Sequence, residues 1–528
     1  MSRPEPLPAT RPLHDLVARL TADGRTRGLY VGGRPAPTEA IATVEVSGLT
    51  QDSRTVRPGD LFVAIAGHHV DGHDLASEAV ERGAAALLVE RPLPGVAAPQ
   101  VIVPATRRAL ATAAAWWYGD PSRAMTVIGV TGTDGKTTTC YLAVAALEAA
   151  GRRTGMIGTI STRIGGTTTS HSVHATTPEA PELQATLRAM LEAGDEAAVV
   201  ETTSHGLALD RVAEIDYDVA VLTNLTHEHL ELHGTWEAYR DAKVSLFSRL
   251  HGPRTAAIVN LDDPNAGAFI GAARETGARV VTYGTEPAAD VRATRIREDA
   301  HGLHATVETG SGGSPSTIDL RLLGRFNVHN ALAVVALGQA LGLDPAAVRT
   351  GLASLERVPG RMERLDLGQP FGVVVDFAHS PASLAAVLDL LAPVAAAGGG
   401  GLIAVFGSAG ERDTAKRPQM GRIAGDRCRL VVVTDEDPRG EDRTAILEDI
   451  ARGAEAAGRR RGHDLLLVAD RRAAIQAAFD AARTGDVVLL AGKGHEQSII
   501  GPDGDIPWDE RAVAEDLLRD LGYSGATH

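Results

Sequence analysis

Apolar residues recur along the chain in short blocks of four or five, separated by stretches in which they return every third or fourth position. Between residues 43 and 104 the blocks at 61–65, 86–89 and 101–103, with a helical segment near 75–82, predict a small α/β domain. A helical pattern over 106–118 then meets Gly119, Asp120 and Pro121, a breaker that marks the first boundary. From residue 126 the order is strand, glycine-rich loop, helix, and further apolar strands follow at 197–200, 219–222 and 256–259. Strands alternating with longer helical stretches imply a largely parallel sheet. The pattern shortens over 290–325, around Gly310, Gly312, Gly313 and Pro315, which predicts antiparallel strands with a flexible tip, and a helix is expected over 328–341. Val358, Pro359 and Gly360 mark an interdomain hinge. Beyond it, strands at 373–375, 402–406, 430–433, 465–468 and 487–490 predict a doubly wound domain, whose ligands belong beyond the carboxyl ends of the strands. The expected organisation is therefore α/β in three domains, 1–120, 121–357 and 358–528.

A length of 528 residues agrees with several domains, and a net charge of −15 argues against broad attraction to nucleic-acid phosphates or anionic lipid. The first residues carry no apolar core of a signal peptide, and no apolar run reaches membrane-spanning length, so a cytoplasmic protein without membrane insertion is expected. Two cysteines, Cys140 and Cys428, are too few for a disulfide framework and are expected to be reduced and partly buried. A different count changes the picture more. The chain holds 48 arginines and only four lysines, Lys136, Lys243, Lys416 and Lys493, which asks what an ammonium does at those places that a guanidinium cannot.

The first lysine lies in Thr131, Gly132, Thr133, Asp134, Gly135, Lys136, Thr137, directly after the strand at 127–130. The backbone N–H groups of such a loop cradle phosphates, its lysine reaches the terminal phosphates and its hydroxyl serves Mg²⁺. Val130 stands where the full pattern has its first glycine, so the strand-loop-helix context has to exclude a plain structural turn. Glu201 ends the apolar strand at 197–200, a place from which a carboxylate can hold a metal ion. The run from Asn224 to His233 contains His227, Glu228, His229, Glu231 and His233. Zinc binding and ordinary surface histidines are both open readings of it, but the neighbouring phosphate loop favours Mg²⁺-assisted phosphate chemistry.

These segments resemble the Mur ligase family, ATP-dependent enzymes that join an amino acid or peptide to a carboxylate through an acyl phosphate. The resemblance rests on GVTGTDGKTTT at 129–139, ETTSHGLALDRV at 201–212, TNLTHEHLELHGTWEAYRDAK at 223–243, LLGRFNVHN at 322–330 and VPGRMER at 358–364. DSRTVRPGDLFVAIAGHHVDG at 52–72 and the C-terminal DFAHSP, FGSAGERDTAKRPQMG, DEDPRGED and GKGHE extend it over nearly the whole chain. They are similar to the branch that adds a diamino acid to UDP-N-acetylmuramoyl-L-alanyl-D-glutamate in peptidoglycan precursor synthesis. The resemblance implies a central P-loop ATPase domain between an N-terminal UDP-sugar domain and a C-terminal Rossmann-like, amino-acid-binding domain, acting as a monomer.

It also implies roles. Gly132, Thr133, Asp134, Gly135, Lys136, Thr137 and Thr138, with Asn330, Arg361 and Asp376, would bind ATP. Of two Mg²⁺ ions, one would be served by Thr137 and Glu201, the other by His229 and an N-carboxylated Lys243, fourteen residues further on. Lys136, Lys243, His229 and Glu201 would be the catalytic set. Ser53, Thr176, Thr177, Thr203 and Arg211 match positions that hold the UDP-sugar and its peptide; for any one of them capping or turn formation is the plain alternative. Arg412, Asp437, Arg439, Gly492 and Glu496 would receive the amino acid, with Lys416 and Lys493 close by.

The amino-acid end departs from the family pattern. Members using meso-diaminopimelate resemble one another in an Asn-Pro-Arg where this chain has Asp437, Pro438 and Arg439. An aspartate there repels a distal carboxylate and attracts an ammonium, as Glu496 would, so lysine or ornithine are alternatives. Arg439 and Arg412, which can grip a carboxylate, favour diaminopimelate. Glu228 in place of Asp and Asp134 in place of Asn leave room for a paralogue in a specialised pathway. A folate-type ligase and an ATP-gated binding protein are further rivals.

Overall fold

The structure, a computed structural model, describes residues 6–67, 70–170, 176–226, 233–299, 302–310 and 314–525. The chain divides into two compact units, Met1–Ile296 with Ala305–Ile318 and Val328–Leu352, and Arg297–His304 with Asp319–Asn327 and Ala353–His528.

In the first unit the N-terminal sheet has the order Arg34–Pro35, Gly28–Val31, Gln100–Ile102, Ala86–Val89, Asp60–Val63, Gly48–Thr50, its last four strands parallel. Strand periodicity sends Leu61 and Val63 to one face, against the helices Leu13–Ala22 and Thr106–Tyr118, and Phe62 and Ala64 to the other, against Ala76 and Ala79. The segment expected as a helix over 75–82 is a 3₁₀ turn, Gly72–Leu75, followed by the helix Ala76–Glu81. The domain also starts earlier than the apolar blocks indicate, because the helix Leu13–Ala22 and the strand Gly28–Val31 complete its core. At the expected first boundary Gly119 closes the helix with φ +75 and Asp120 follows at φ +49.

The second sheet of this unit is centred on the strand Thr126–Thr131. It lies between the parallel strands Ala197–Glu201 and Val219–Leu222, with Thr154–Ile157 beyond the first and Ala256–Asn260 and Arg279–Gly284 beyond the second. An antiparallel hairpin, Ser161–Ile164 with Thr167–Ser170, extends one edge. Val291 and Arg292 pair beside Tyr283 and Gly284 at the other; the glycines expected at the tip of the antiparallel strands, Gly312 and Gly313, lie outside the described residues. The two sheets are tied by Glu214, which accepts from Arg25 at 2.6 Å and from Arg19 at 3.1 Å, while Arg19 also grips Asp120 at 2.8 Å.

In the second unit the sheet order is Glu363–Leu365, Gly372–Asp376, Val487–Ala491, Leu402–Phe406, Leu430–Val433, Leu465–Leu467, all parallel except the first. Each central strand is apolar on both faces: Ala404 and Val431 enter one core, Ile403 and Val432 the other. The last strand inserts between the first two parallel ones, and such a reversal of strand order opens a crevice at the carboxyl ends. Both cysteines are free and fully buried rather than partly so. Among the described residues no helix is long and apolar enough to cross a membrane.

Candidate functional site

Strand register delivers the first cluster. Glu201 pairs beside Val130 and Leu222 beside Thr131, so the phosphate loop, Glu201 and the segment Thr223–Asn224 emerge together from three adjacent strand ends. The loop is fitted closely to that segment. Thr133 N–H donates to Asn224 O at 2.8 Å, Asp134 N–H to Asn224 Oδ1 at 2.9 Å, and the Thr223 hydroxyl to Asp134 O at 2.6 Å. A Cβ on Gly132 would stand 1.9 Å from Thr223 Oγ1, and one on Gly135, at φ +79, would stand 2.4 Å from Asn330 Oδ1, so both positions require glycine. Asn330, on the helix Asn327–Leu341, in turn accepts from the Thr139 hydroxyl at 3.2 Å.

Lys136 opens the helix Lys136–Ala149 and folds its ammonium back to Thr133 O at 2.7 Å. The Thr137 hydroxyl donates to Glu201 Oε1 at 2.9 Å, and Thr159 N–H to Glu201 Oε2 at 2.8 Å, with Glu201 only 1% exposed. Thr138 is buried on the next helical position. Lys243, on the helix Trp236–Phe247, is buried too: its ammonium donates to Gly132 O and lies 4.7 Å from the centre of the Tyr239 ring. The Tyr239 hydroxyl reaches Thr133 Oγ1 at 2.9 Å. His229, the expected partner of Lys243, lies outside the described residues together with His227 and Glu228. Among the described residues no three His, Cys, Asp or Glu side chains form a metal-holding group.

A second cluster adjoins Glu201. Thr177 donates its hydroxyl to Glu201 O at 2.9 Å and lies 3.0 Å from the Thr203 hydroxyl, which caps the short helix Ser204–Ala208 by accepting from Gly206 N–H. Thr176 accepts from the Thr159 hydroxyl at 3.0 Å. Arg211 donates to Thr177 O at 2.9 Å and pairs with Glu179 at 2.7 Å. Glu179 also lines a cavity of about 650 Å³, a size suited to a small-molecule ligand, together with Gln51, Ser53, Arg54, Glu78 and Arg107. Four of the expected sugar-peptide residues thus share one network, and Ser53 lines the cavity that Glu179 borders, bonded to Glu78. Sequence reasoning missed Glu179 and Arg107; Glu179 directly follows the Thr176, Thr177, Pro178 segment, which was the signal available.

The remaining expected residues belong to the second unit. Asp376 ends its strand and accepts from Met362 N–H and Ala378 N–H, both at 2.8 Å. Burial pushes its carboxyl above the usual carboxylate range, and the Arg361 guanidinium opposes that rise. Arg361 stacks 5.0 Å from the centre of the Phe377 ring, and the Phe377 and His495 rings lie 4.8 Å apart. Lys416 donates to His379 O at 2.8 Å. Asp437 pairs with Lys493 at 2.8 Å, and Lys493 with Glu496 at 2.6 Å. Gly492 stands beside Glu436, a carboxylate the sequence reading passed over. Arg439 sits at φ +53 and donates its N–H to Ile500 O at 2.9 Å. Arg412 lies on an exposed bend two residues beyond Gly410, whose N–H donates to Asp437 O at 2.8 Å.

Comparison with known proteins matches residues 45–118 to the Mur ligase family catalytic domain, 130–338 to the Mur ligase middle domain and 360–494 to the Mur ligase glutamate ligase domain. A UDP-N-acetylmuramyl-tripeptide synthetase of Roseiflexus sp. (strain RS-1) is 49% identical over 497 residues, covering 91% of this chain and 96% of that protein. A UDP-N-acetylmuramoyl-L-alanyl-D-glutamate–2,6-diaminopimelate ligase of Syntrophomonas wolfei is 41% identical over 477 residues, covering 90% and 95%. A solved structure bearing the same diaminopimelate-ligase name superposes with a TM-score of 0.64 at 29% identity, covering 92% of this chain and 97% of that one.

Proposed function

The chain belongs to the Mur ligase family, and on that premise we propose that it joins meso-diaminopimelate to the D-Glu side-chain carboxylate of UDP-N-acetylmuramoyl-L-Ala-D-Glu, forming ADP and phosphate. The observation that carries this reading is Thr177, whose hydroxyl joins Glu201, beside the phosphate loop, to the Thr203, Arg211 and Glu179 network of the cavity. A substrate carboxylate held by Arg211 would be presented to the phosphates of ATP held by the loop. Attack on the γ-phosphorus then releases ADP and gives an acyl phosphate; the amino group of the incoming amino acid attacks its acyl carbon, and loss of a proton and expulsion of inorganic phosphate leave the amide.

Each residue has a part in that sequence. The loop N–H groups and Lys136 spread the charge that builds on the transferring phosphoryl group, an effect that rests on positioning and electrostatics. Asn330, which accepts from the Thr139 hydroxyl and packs against Gly135, would serve the nucleotide with Arg361 and Asp376. The donors around Glu201 fit Mg²⁺: a buried carboxylate and a hydroxyl are hard oxygen ligands. Thr137 and Glu201 would hold one ion, and His229 with carboxylated Lys243 a second; bound there, Mg²⁺ supplies positive charge to the phosphates. Lys243 suits carboxylation, since a primary amine can form a carbamate with CO₂ and a guanidinium does not take that role. The division into 1–120, 121–357 and 358–528 then assigns sugar, nucleotide and amino acid to successive domains.

Phosphate release from ATP tests the reading. Release is expected only when the UDP-sugar dipeptide and the amino acid are both supplied; release that ignores the UDP-sugar dipeptide contradicts it.

A further inference from the structure

Three consecutive carboxylates, Asp435, Glu436 and Asp437, leave the strand Leu430–Val433, and all three are buried. Adjacent buried anions need compensation from the protein or from a ligand. Asp435 receives it from Arg443. Asp437 Oδ1 accepts the Lys493 ammonium at 2.8 Å and Ile500 N–H at 2.9 Å, with the two side chains 6% and 1% exposed. The same ammonium covers Glu496 Oε2 at 2.6 Å. Burial pushes the Glu496 carboxyl up and Lys493 opposes the rise.

Glu436 forms no salt bridge among the described residues. Its Oε2, like Asp435 Oδ1, is buried and accepts no hydrogen bond, at a residue 6% exposed. A Cβ on Gly492 would come 2.9 Å from that oxygen, so the glycine, at φ +101, keeps a side chain off it. The Arg439 Nε, three residues on, is likewise buried without a partner. A carboxylate oxygen and an arginine Nε without hydrogen bonds thus stand on the same loop, with Arg471 acting on Glu436 only through its charge, while Asp437 is already occupied.

We propose that Lys493 is a specificity-determining positioning residue: it cancels the charge of Asp437 within the fold, so that the far end of the incoming amino acid meets Glu436 and Arg439 rather than a set of anions. This rests on the ligase reading above. One anion with one cation matches a terminus carrying both ammonium and carboxylate, as diaminopimelate does. An uncompensated Asp437 would favour the bare ammonium of lysine or ornithine. A compact ammonium fits between two carboxylates where a planar guanidinium would need a wider, bidentate geometry.

The test compares wild type, Lys493→Met and the double variant Lys493→Met/Asp437→Asn, in kcat and KM for meso-diaminopimelate and for L-lysine, with thermal melts as a check of folding. In Lys493→Met the KM for diaminopimelate is expected to rise about tenfold, with kcat changing less, and the preference over lysine to narrow by about the same factor. The double variant, with both charges removed, is expected to return the preference to within about threefold of wild type. If the single variant does not fold, the double decides alone: a retained preference supports the proposal and a lost one overturns it. An unchanged preference in the single variant, or a double as indiscriminate as the single, also overturns it. Wild type that prefers lysine overturns this proposal and keeps the ligase; wild type that turns over neither amino acid overturns the ligase reading as well.

Discussion

The Thr137 hydroxyl meets the Glu201 carboxylate at 2.9 Å, joining the first turn of the phosphate-loop helix to the end of the neighbouring strand. Thr137→Val keeps the shape and removes the hydroxyl; Glu201→Gln keeps the shape and removes the charge. Each is expected to lower kcat/KM by about 10²-fold while leaving the thermal midpoint within a few degrees, because both remove charge stabilisation of the transferring phosphate. Phosphate-release kinetics across a Mg²⁺ titration checks this, and an unchanged Mg²⁺ dependence contradicts the metal-holding role.

Lys243→Arg preserves a cation at Gly132 O and removes the capacity for carboxylation. Loss of activity by about 10²-fold or more is expected. Native mass spectrometry of the wild type should record a population heavier by one CO₂ that disappears on acid denaturation. A fully active arginine variant would contradict the carboxylation.

Gly135→Ala places a Cβ 2.4 Å from Asn330 Oδ1 and forces an L side chain to φ +79. The backbone term alone is about 1 kcal/mol, and the displaced Asn330 adds to it. The KM for ATP is expected to rise by about tenfold, and unchanged nucleotide affinity would show the loop to be looser than its contacts indicate.

Stability of the second unit should fall in acid through Glu441. Hydrogen bonds from Arg417, helped by the Glu411 N–H, draw its carboxyl from an ordinary 4.5 down to about 2, and Arg417 also reaches Asp449 at 3.1 Å on the helix Arg443–Ala456. A carboxyl lowered by folding stabilises fully above its unfolded value, and that contribution is lost as pH falls from 4.5 towards 2. Glu441→Gln, lacking this term, should flatten the urea-midpoint profile over that window; a parallel profile contradicts the assignment.

The sequence carried the parallel strands because each is buried on both faces and so reads as an unbroken apolar block, as in Val487–Ala491. It carried the phosphate loop because only glycine fits at Gly132 and Gly135. The hairpins Ser161–Ser170 and Ser498–Pro507 went unread for the opposite reason: Thr167–Ser170 and Gly504–Pro507 are exposed throughout and leave no alternation to detect. The scarcity of lysine was informative: all four ammoniums are engaged, at Thr133 O, Gly132 O, His379 O and Asp437. What the sequence could not reveal was pairing. Asp437 read as a free ammonium receptor until its contact with Lys493, 56 positions away, placed that charge inside the fold and left Glu436 Oε2 without a hydrogen bond.

The measurement that bears most directly on the account is mass spectrometry of the product formed from UDP-N-acetylmuramoyl-L-Ala-D-Glu, ATP and Mg²⁺ with meso-diaminopimelate, L-lysine and L-ornithine in competition. The account predicts one new amide, a UDP-sugar tripeptide carrying diaminopimelate, formed in step with ADP and phosphate. A mixture free of any tripeptide, with ATP intact, would contradict it.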